Sequence, residues 1–255
     1  MAKDREITVD LWKTGAHSVN VGIHQDQQYQ AKSRQFTKDT EIIGEVEEKD
    51  EDAGYVTYRE DPWNEDIPNK RIIIKDFTKS MNWRGSLEEL LARGIAQSIS
   101  ADKALPSFII NLSKSQYLIP VEKVQRHGTL GKQIYCFIIV DDETNESFPF
   151  SIEADRLSIG GDWEVYDQYR EKIADIDGSR FNVGGKYTIK IKKDAPTYRN
   201  ELPEILILFS TLLKYLDEVE DKLEKSVKKI KKDKLKITLD QQEALLYNNP
   251  RLIKT

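Results

Sequence analysis

The sequence predicts an α+β protein, mainly antiparallel β, in which a closed barrel surrounds a central hydrophobic helix near the C-terminus. Three observations lead to this prediction. Short apolar segments recur at regular intervals after residue 107, a Gly-Gly hairpin motif occurs twice, and residues 202–216 are apolar around most of a helical circumference. With 255 residues, the chain is long enough to bury such a core without disulfides.

Residues 1–106 are predicted to form an N-terminal arm and an extension that contains one amphipathic helix. Residues 7–12 alternate apolar and polar as a strand does, but the stretch up to about residue 40 is rich in Gln, Ser, Lys and Asn and has too few apolar residues to build a core. The acidic run 45–52 is predicted to be a solvated loop tip, and residues 72–74, Ile-Ile-Ile, indicate a strand.

The clearest helix of this region is predicted over residues 87–99. Ser86 is an N-cap candidate and Glu89 follows three residues later, which is the spacing of a capping box. Apolar residues then recur at helical intervals, at Leu87, Leu90, Leu91, Ile95 and Ile99. We therefore expect an amphipathic helix that packs on a sheet.

Residues 107–217 are predicted to form the barrel. Strand patterns lie at 108–112, 117–124, 134–140 and 148–152. The polar segment 141–146 is predicted to be a hairpin turn and is assigned no metal. Cys136 is the only cysteine and lies within one of these strands, so we expect a buried, unreactive thiol, no internal disulfide and a cytoplasmic location.

A ten-residue motif occurs twice in this region. Arg-Leu-Ser-Ile-Gly-Gly-Asp-Trp-Glu-Val at 156–165 returns as Arg-Phe-Asn-Val-Gly-Gly-Lys-Tyr-Thr-Ile at 180–189. In each copy a glycine pair permits a turn with positive φ, and an aromatic residue then starts an alternating strand. A glycine pair can also cradle phosphate, but such loops lead into a helix, whereas these lead into strands. The motif therefore predicts two β-hairpins.

The helix predicted at 202–216 is the second informative segment. Pro203 suits the first helical turn, and the polar remainder consists of Glu204, Ser210, Thr211 and Lys214. At about 1.5 Å per residue the helix is about 22 Å long, which is too short for a bilayer and suits the axis of a small barrel. Such a helix must be almost completely surrounded by other parts of the protein.

Repeated Gly-Gly hairpins followed by this apolar helix resemble the LURP-one-related family of the tubby C-terminal-like superfamily, which also includes the phospholipid scramblases. The resemblance covers residues 107–217 and rests on the segments 155–167, 173–176 and 180–191 and on the helix. It implies a closed β-barrel with the hydrophobic helix as its axis and a non-catalytic role, which in some relatives involves phosphoinositides or membrane surfaces. It does not extend to the first hundred or so residues.

Residues 218–255 are predicted to be a charged helical tail. An apolar seam at Leu216, Val219, Leu223, Val227 and Ile230 suits packing on the protein's own surface or on a partner helix. Lysines are concentrated beside this seam, and the candidate binding residues among them are Lys228, Lys229, Lys231 and Lys232. They form either a solvated helix face or a contact for an anionic surface.

Composition and motifs narrow the range of functions. The net charge of −5 argues against a general nucleic-acid binder. His17, His24 and His127 lack the spacing of a metal site, and no Gly-x-Ser-x-Gly, Walker or His-Glu-x-x-His motif occurs, so we assign no metal, cofactor or catalytic residue.

We therefore expect a non-enzymatic binding or scaffold protein that acts on a protein partner or oligomer, or peripherally at an anionic membrane. One alternative is a structural subunit of a larger assembly that uses the polar N-terminal arm. Another is a hydrolase whose carboxylates come together only in the folded chain. The identity of the partner does not follow from the fold.

Overall fold

The computed structural model describes residues 4–11, 41–49, 51–62, 70–124, 132–141, 143–155, 161–179, 185–193, 201–234, 236, 239 and 241–247. The strands in these residues are β1 (Arg5–Leu11), β2 (Glu41–Glu48), β3 (Glu51–Pro62), β4 (Lys70–Thr78), β5 (Trp83–Glu89), β6 (Ser107–Leu112), β7 (Ile119–Lys123), β8 (Ile134–Val140), β9 (Ser147–Ala154), β10 (Trp163–Tyr166), β11 (Lys172–Gly178) and β12 (Lys186–Ile191). The helices are α1 (Leu91–Ala101), α2 (Leu202–Leu213), α3 (Leu216–Asp233) and α4 (Gln241–Leu246).

The described strands form one closed antiparallel barrel. Each strand pairs with its neighbours in sequence, and β1 pairs with β12 to close the ring. At the closure Ile7 lies opposite Ile189, and Val9 lies opposite Tyr187. A closed ring leaves no strand edge exposed to another chain, so the barrel avoids edge-to-edge association.

The helix α2 runs inside this barrel, as the sequence predicts. Its residues Ile205, Leu208 and Phe209 have no exposed surface, and the apolar core around them includes a buried side chain from every described strand. Alternation along the strands supplies these side chains. In β1, for example, Ile7, Val9 and Leu11 are buried while the residues between them are half-buried.

Aromatic side chains add directional contacts to this core. The ring of Phe209 meets those of Tyr135 and Trp163 edge-on, with centroid distances of 5.3 and 5.6 Å. Tyr58 and Tyr215 stack at 4.3 Å just beyond the C-terminal end of α2. Such pairs stabilise the core beyond the burial of apolar surface, and they fix the rotation of α2 within the barrel.

The barrel does not begin at residue 107, where the sequence placed its start. Strands β1–β5 all come from the first 106 residues, and they complete the ring between β12 and β6. Of the elements predicted in residues 1–106, only the strands at 7–12 and 72–74 indicated that this region contributes strands. The predicted arm, residues 12–40, lies outside the described residues, as do all three histidines.

The predicted helix at 87–99 begins later than expected, because its first residues belong to β5. Ser86 lies opposite Lys75 on one side and Asn111 on the other, so it is a strand residue and not an N-cap. Glu89, the other half of the expected capping box, accepts a hydrogen bond from the backbone of Ile72 at 3.1 Å. Strand pairing has overridden the local capping signal.

The acidic run 45–52 is a β-hairpin, so the prediction of a loop tip was wrong. It contains the end of β2 and the start of β3, with Glu47 opposite Asp52. Val46 points into the core and is 1% exposed. The carboxylates of the acidic run lie mostly on the outer side of the barrel, which is why the segment resembles a solvated loop in the sequence.

The described part of each Gly-Gly motif leads into the second strand of an antiparallel pair, β9–β10 or β11–β12, as predicted for two hairpins. Gly161 and Gly185, the second glycine of each pair, have φ of +78° and +107°. Backbone hydrogen bonds of 2.8 Å close the two connections, from Asp155 to Asp162 and from Ser179 to Lys186. The residues between, 156–160 and 180–184, lie outside the described part of the chain and include Gly160 and Gly184.

Cys136 lies on β8 and is half-buried on the outer side of the barrel, whereas the sequence predicted a fully buried thiol. Burial, followed by the nearby carboxylate of Glu122, raises the pKa of this thiol. A raised pKa keeps the sulfur protonated and lowers its nucleophilicity, which agrees with the predicted lack of reactivity.

Truncation of the axial helix tests the enclosure of α2. We expect Leu208→Ala to destabilise the protein by about 2 to 5 kcal/mol, because a fully buried leucine leaves a cavity. Urea denaturation measures the loss. Leu245→Ala, on a side chain that is 61% exposed, is the matched control and should cost less than about 0.5 kcal/mol. Equal effects at the two positions would show that α2 is not enclosed.

Backbone strain at the first hairpin can be tested without a steric clash. A Cβ built at Gly161 meets nothing within 4 Å, so a substitution there tests only the positive φ. We expect Gly161→Val to lower the free energy of unfolding by about 1 to 3 kcal/mol, and Gly161→Asn to lower it less because Asn tolerates this conformation. Equal unfolding midpoints for Val and wild type would contradict this backbone geometry.

Candidate functional site

The candidate binding residues lie on α3, which is fixed to the outside of the barrel by its apolar seam. Leu223, Val227 and Ile230 pack in a cluster with Leu91 and Ile95 of α1. This is the seam predicted from the sequence, and it is occupied by the protein's own helix. Because the seam is used internally, α3 presents its opposite, charged side to the surroundings.

Two ion pairs anchor the first half of α3 to the barrel. Lys222 donates to the buried carboxylate of Glu89 at 2.6 Å, and Lys123 of β7 donates to Glu220 at 2.5 Å. The hydroxyl of Tyr135 also donates to Glu220, at 3.4 Å. Removing one partner from a buried pair is costly because the other charge is left uncompensated, so these contacts hold α3 in a defined orientation.

The structure brings most of the predicted lysines together on one side of α3. With about 100° between successive residues, Lys225, Lys228, Lys229 and Lys232 fall within about a third of the helix circumference, opposite the apolar seam. We call these four residues the lysine face. All four are exposed, so this surface is positive and accessible over the last turns of α3.

The fourth predicted residue, Lys231, lies at the flank of α3 and not on the lysine face. Its Nζ pairs with Asp102, just beyond the end of α1, at 3.2 Å. It borders a groove of about 350 Å³ between α1 and α3, whose lining also includes Ser98, Lys103, Val227 and Lys228. Lys228 pairs with Glu224 at 3.5 Å, and because both side chains are exposed this pair is weak and can be exchanged for another anion.

A contact made by Glu243 of α4 at the start of α1 could not be foreseen from the sequence. Its Oε1 accepts a hydrogen bond from the backbone N–H of Ala92 at 2.9 Å, and the Tyr247 hydroxyl donates to the same oxygen at 3.3 Å. Glu243 thus supplies the helix cap that Ser86 was expected to provide. Burial raises its pKa to about 7, although Ala92 and Arg71 oppose that rise.

A second polar site lies at the opposite end of the barrel, where α2 begins. The β4–β5 and β6–β7 turns meet the first turn of α2 there and enclose a pocket of about 260 Å³, lined in part by Trp83, Arg84, Lys114 and Glu204. Directly behind it, the fully buried Asp76 accepts a hydrogen bond from Arg84 at 2.7 Å. The residues that line this pocket are far apart in sequence. Of the groups named here, the sequence singled out only Glu204, as a polar residue of the predicted apolar helix.

Burial acts on two of the carboxyl groups near this pocket, those of Asp76 and Glu204. It raises the pKa of Asp76 to about 6, with Arg84 opposing the rise and Glu204 adding to it. It also raises the pKa of Glu204. Among the described residues, no hydrogen-bond partner meets Asp76 Oδ2, Arg84 Nε, Trp83 Nε1 or Glu204 Oε2.

One further group of carboxylates lies on the β2–β3 hairpin. Oxygen atoms of Glu45, Glu47 and Asp52 come within 4.8 Å of one another. Lys79 donates to Asp52 at 3.1 Å, so the ammonium group of a lysine already offsets the negative charge of one of these carboxylates. Exposed acidic pairs across a hairpin need no ion, and we assign none.

Comparison of the chain with protein-family models, with curated proteins and with solved structures found no match. A functional assignment therefore depends on the geometry of the chain itself. Among the described residues, no helix is both long and apolar enough to cross a membrane.

The pH dependence of stability tests the cap formed by Glu243. Because its pKa is raised in the folded state, its contribution to stability should decline as the pH rises from about 4.5 towards about 7. Glu243→Gln keeps the acceptor oxygen but cannot ionise. We expect its urea midpoint to match that of the wild type near pH 5 and to exceed it near pH 9.

The exposed Glu218 of α3 offers a matched control, since Glu218→Gln removes a carboxylate without touching the cap. Its midpoint should follow that of the wild type at both pH values. Parallel behaviour of Glu243→Gln and the wild type across this range would show that Glu243 ionises freely in the folded protein.

Proposed function

We propose that the chain is a non-enzymatic binding protein of tubby-like fold that docks peripherally on an anionic membrane surface through its lysine face. The observation that carries this proposal is the position of Lys225, Lys228, Lys229 and Lys232 on one exposed stripe, directly opposite the seam that fixes α3 to the barrel. A positive surface held in a fixed orientation can steer the whole molecule towards negative charge.

The tubby-like part of the proposal is supported by the architecture. The resemblance implied a closed antiparallel barrel with an apolar helix along its axis, and the chain has such a barrel, although five of its strands come from residues before 107. Because the side chains of α2 are buried along the axis of the barrel, we assign binding to the outer surface and to the ends of the barrel.

A binding role is favoured over catalysis by the state of the reactive groups described. The raised pKa of Cys136 keeps its thiol protonated. Buried carboxylates serve structural contacts, as Glu89 does with Lys222 and Glu153 does with Lys132 at 3.0 Å. These groups support the fold and are not arranged around a reacting atom.

The composition of the lysine face favours lipid over protein as the anionic partner. Protein interfaces are enriched in aromatic residues and arginine and depleted in lysine, and residues 216–236 contain neither an aromatic residue nor an arginine. The attraction of lysine side chains to an anionic membrane does not require a partner surface of complementary shape. It contributes about 1 kcal/mol per lysine near the membrane surface. Four lysines therefore support weak, reversible and salt-sensitive docking.

The same stripe is acidic nearer the start of α3, at Glu218 and Asp221, both of which are exposed. The positive surface is thus confined to the second half of the helix, and Lys234 and Lys236 extend it. We propose that the protein approaches the membrane with this end of α3 and not with the side of the barrel. The alternative of an assembly subunit was based on residues 12–40, which lie outside the described residues, and it stays a prediction.

Vesicle sedimentation tests the proposal. The variant Lys225→Gln, Lys228→Gln, Lys229→Gln, Lys232→Gln removes the lysine face, and we expect its affinity for phosphatidylserine-containing vesicles at low salt to fall about a hundredfold or more. Wild-type binding should weaken as salt is raised, and neutral phosphatidylcholine vesicles should not be bound. The thermal midpoint should change little, because exposed charges contribute little to stability.

A matched control removes four lysines elsewhere on the surface, as Lys49→Gln, Lys79→Gln, Lys192→Gln and Lys193→Gln. It has the same net charge as the first variant and should bind like the wild type. Equal loss in both variants would attribute binding to net charge, and no binding by the wild type at low salt would exclude the membrane. Retention on immobilised polyglutamate without vesicle binding would instead identify an acidic protein as the partner.

A further inference from the structure

The pocket at the start of α2 combines charge, enclosure and unused hydrogen-bonding capacity. Its walls are formed by the β4–β5 turn, the β6–β7 turn and the first turn of α2. These are rigid supports, because the strands belong to the closed barrel and α2 is its core. The backbone frame of such a site keeps its shape without a ligand, so a ligand has to move only side chains.

The charged side chains around the pocket do not all form ion pairs with one another. The guanidinium of Arg84 is committed to Asp76 at 2.7 Å, which leaves the carboxyl group of Glu204 without a cation in hydrogen-bonding contact among the described residues. Burial raises the pKa of Glu204, although the charges of Arg84, Arg5 and Lys114 oppose that rise. Of these three cations, Lys114 is exposed at the rim of the pocket.

The unpartnered atoms define what a ligand must offer. Glu204 Oε2 and Asp76 Oδ2 are acceptors and require a donor, whereas Arg84 Nε and Trp83 Nε1 are donors and require an acceptor. Buried polar atoms are normally satisfied, and four unsatisfied atoms around one pocket are a concentrated exception. All four are closed to solvent in this conformation, so the side chains of Glu204 and Trp83 must both rotate to present the carboxylate and the indole N–H to the pocket.

We propose that this pocket binds a small primary ammonium compound that also carries an oxygen acceptor, of the amino-alcohol class. The ammonium group bonds to the carboxylate of Glu204, and the oxygen accepts from the indole N–H of Trp83. Leu112 supplies an apolar wall for the short carbon chain. At about 260 Å³, the pocket lies just below the range for drug-sized ligands and has room for a small molecule of this class.

This site is independent of the lysine face. The pocket lies at the end of the barrel where α2 begins, whereas α1 and α3 pack together at the end where α2 leaves. The lysine face attracts anions, and the Glu204 carboxyl attracts a cation. Membrane docking and amine binding can therefore succeed or fail separately.

Nuclear magnetic resonance provides a direct test through the indole N–H signal of Trp83, assigned with Trp83→Phe. We expect 2-aminoethanol to shift this signal saturably. Ethylamine should bind more weakly because it lacks the oxygen, and ethylene glycol should not bind because it lacks the charge. Glu204→Gln should weaken 2-aminoethanol binding about tenfold or more, since hydrogen bonds to charged groups are the stronger ones, and Glu218→Gln should leave the affinity unchanged.

A second variant keeps the test decisive if Glu204→Gln perturbs the fold. Lys114→Met removes the rim ammonium that competes for Glu204, so it should tighten 2-aminoethanol binding at least about twofold. The proposal is overturned if the wild type shows no saturable shift with 2-aminoethanol, if ethylene glycol binds as well as 2-aminoethanol, or if Glu204→Gln folds and retains full affinity. Weaker binding by Lys114→Met would also overturn it, because the lysine would then be part of the site.

Discussion

An α-helix whose apolar side chains point in nearly every direction is hidden from water only when other parts of the protein surround it, and in this chain the closed barrel meets that requirement for α2. Apolar burial contributes about 25 cal/mol per Å², and residues such as Ile205, Leu208 and Phe209 have no exposed surface. A ring missing β1 would open a gap between β12 and β2 beside this helix. The pairing of β1 with β12 is therefore as important to the core as any central strand.

Enclosure of α2 also positions both proposed binding sites. These sites lie on the outer surface and at one end of the barrel. At one end the first turn of α2 brings Glu204 beside Arg84, and at the other the chain leaves the barrel and continues as α3. The anchors of α3, Lys222 to Glu89 and Lys123 to Glu220, then turn its lysine face outward. Both proposed sites thus inherit their positions from the same buried helix.

The sequence predicts the features that depend on local pattern. The apolar helix, the two glycine hairpins and the strand at 134–140 are found where their periodicity or turn residues place them. The failures lie in the N-terminal strands. The hairpin of β2 and β3 carries outward-facing acidic residues and resembles a loop, and Ser86 with Glu89 has the spacing of a capping box although both residues lie in a strand. In each case pairing with the adjacent strands decided the structure, and the pattern within one segment does not report such pairing.

The same distinction applies to the candidate sites. Lysine density along one segment is visible in the sequence, and the helical period places Lys228, Lys229 and Lys232 on one side of α3. The cap from Glu243 to Ala92 and the pair of Asp76 with Arg84 are not visible in this way. The first joins residues on distant segments, and the second depends on which residues of two paired strands lie opposite each other. A sequence pattern can indicate a charged surface, but a pocket depends on the tertiary fold.

Native-state amide hydrogen exchange tests the enclosure of α2 most directly. If the whole barrel and its axial helix form one cooperative unit, the amides of β1, β12 and α2 should be protected to a similar extent and exchange through the same global opening. Their exchange should also respond equally to added denaturant. Rapid exchange of β1 while β12 and α2 stay protected, or exchange of α2 like that of an exposed helix, would contradict the dependence of the core on barrel closure around this helix.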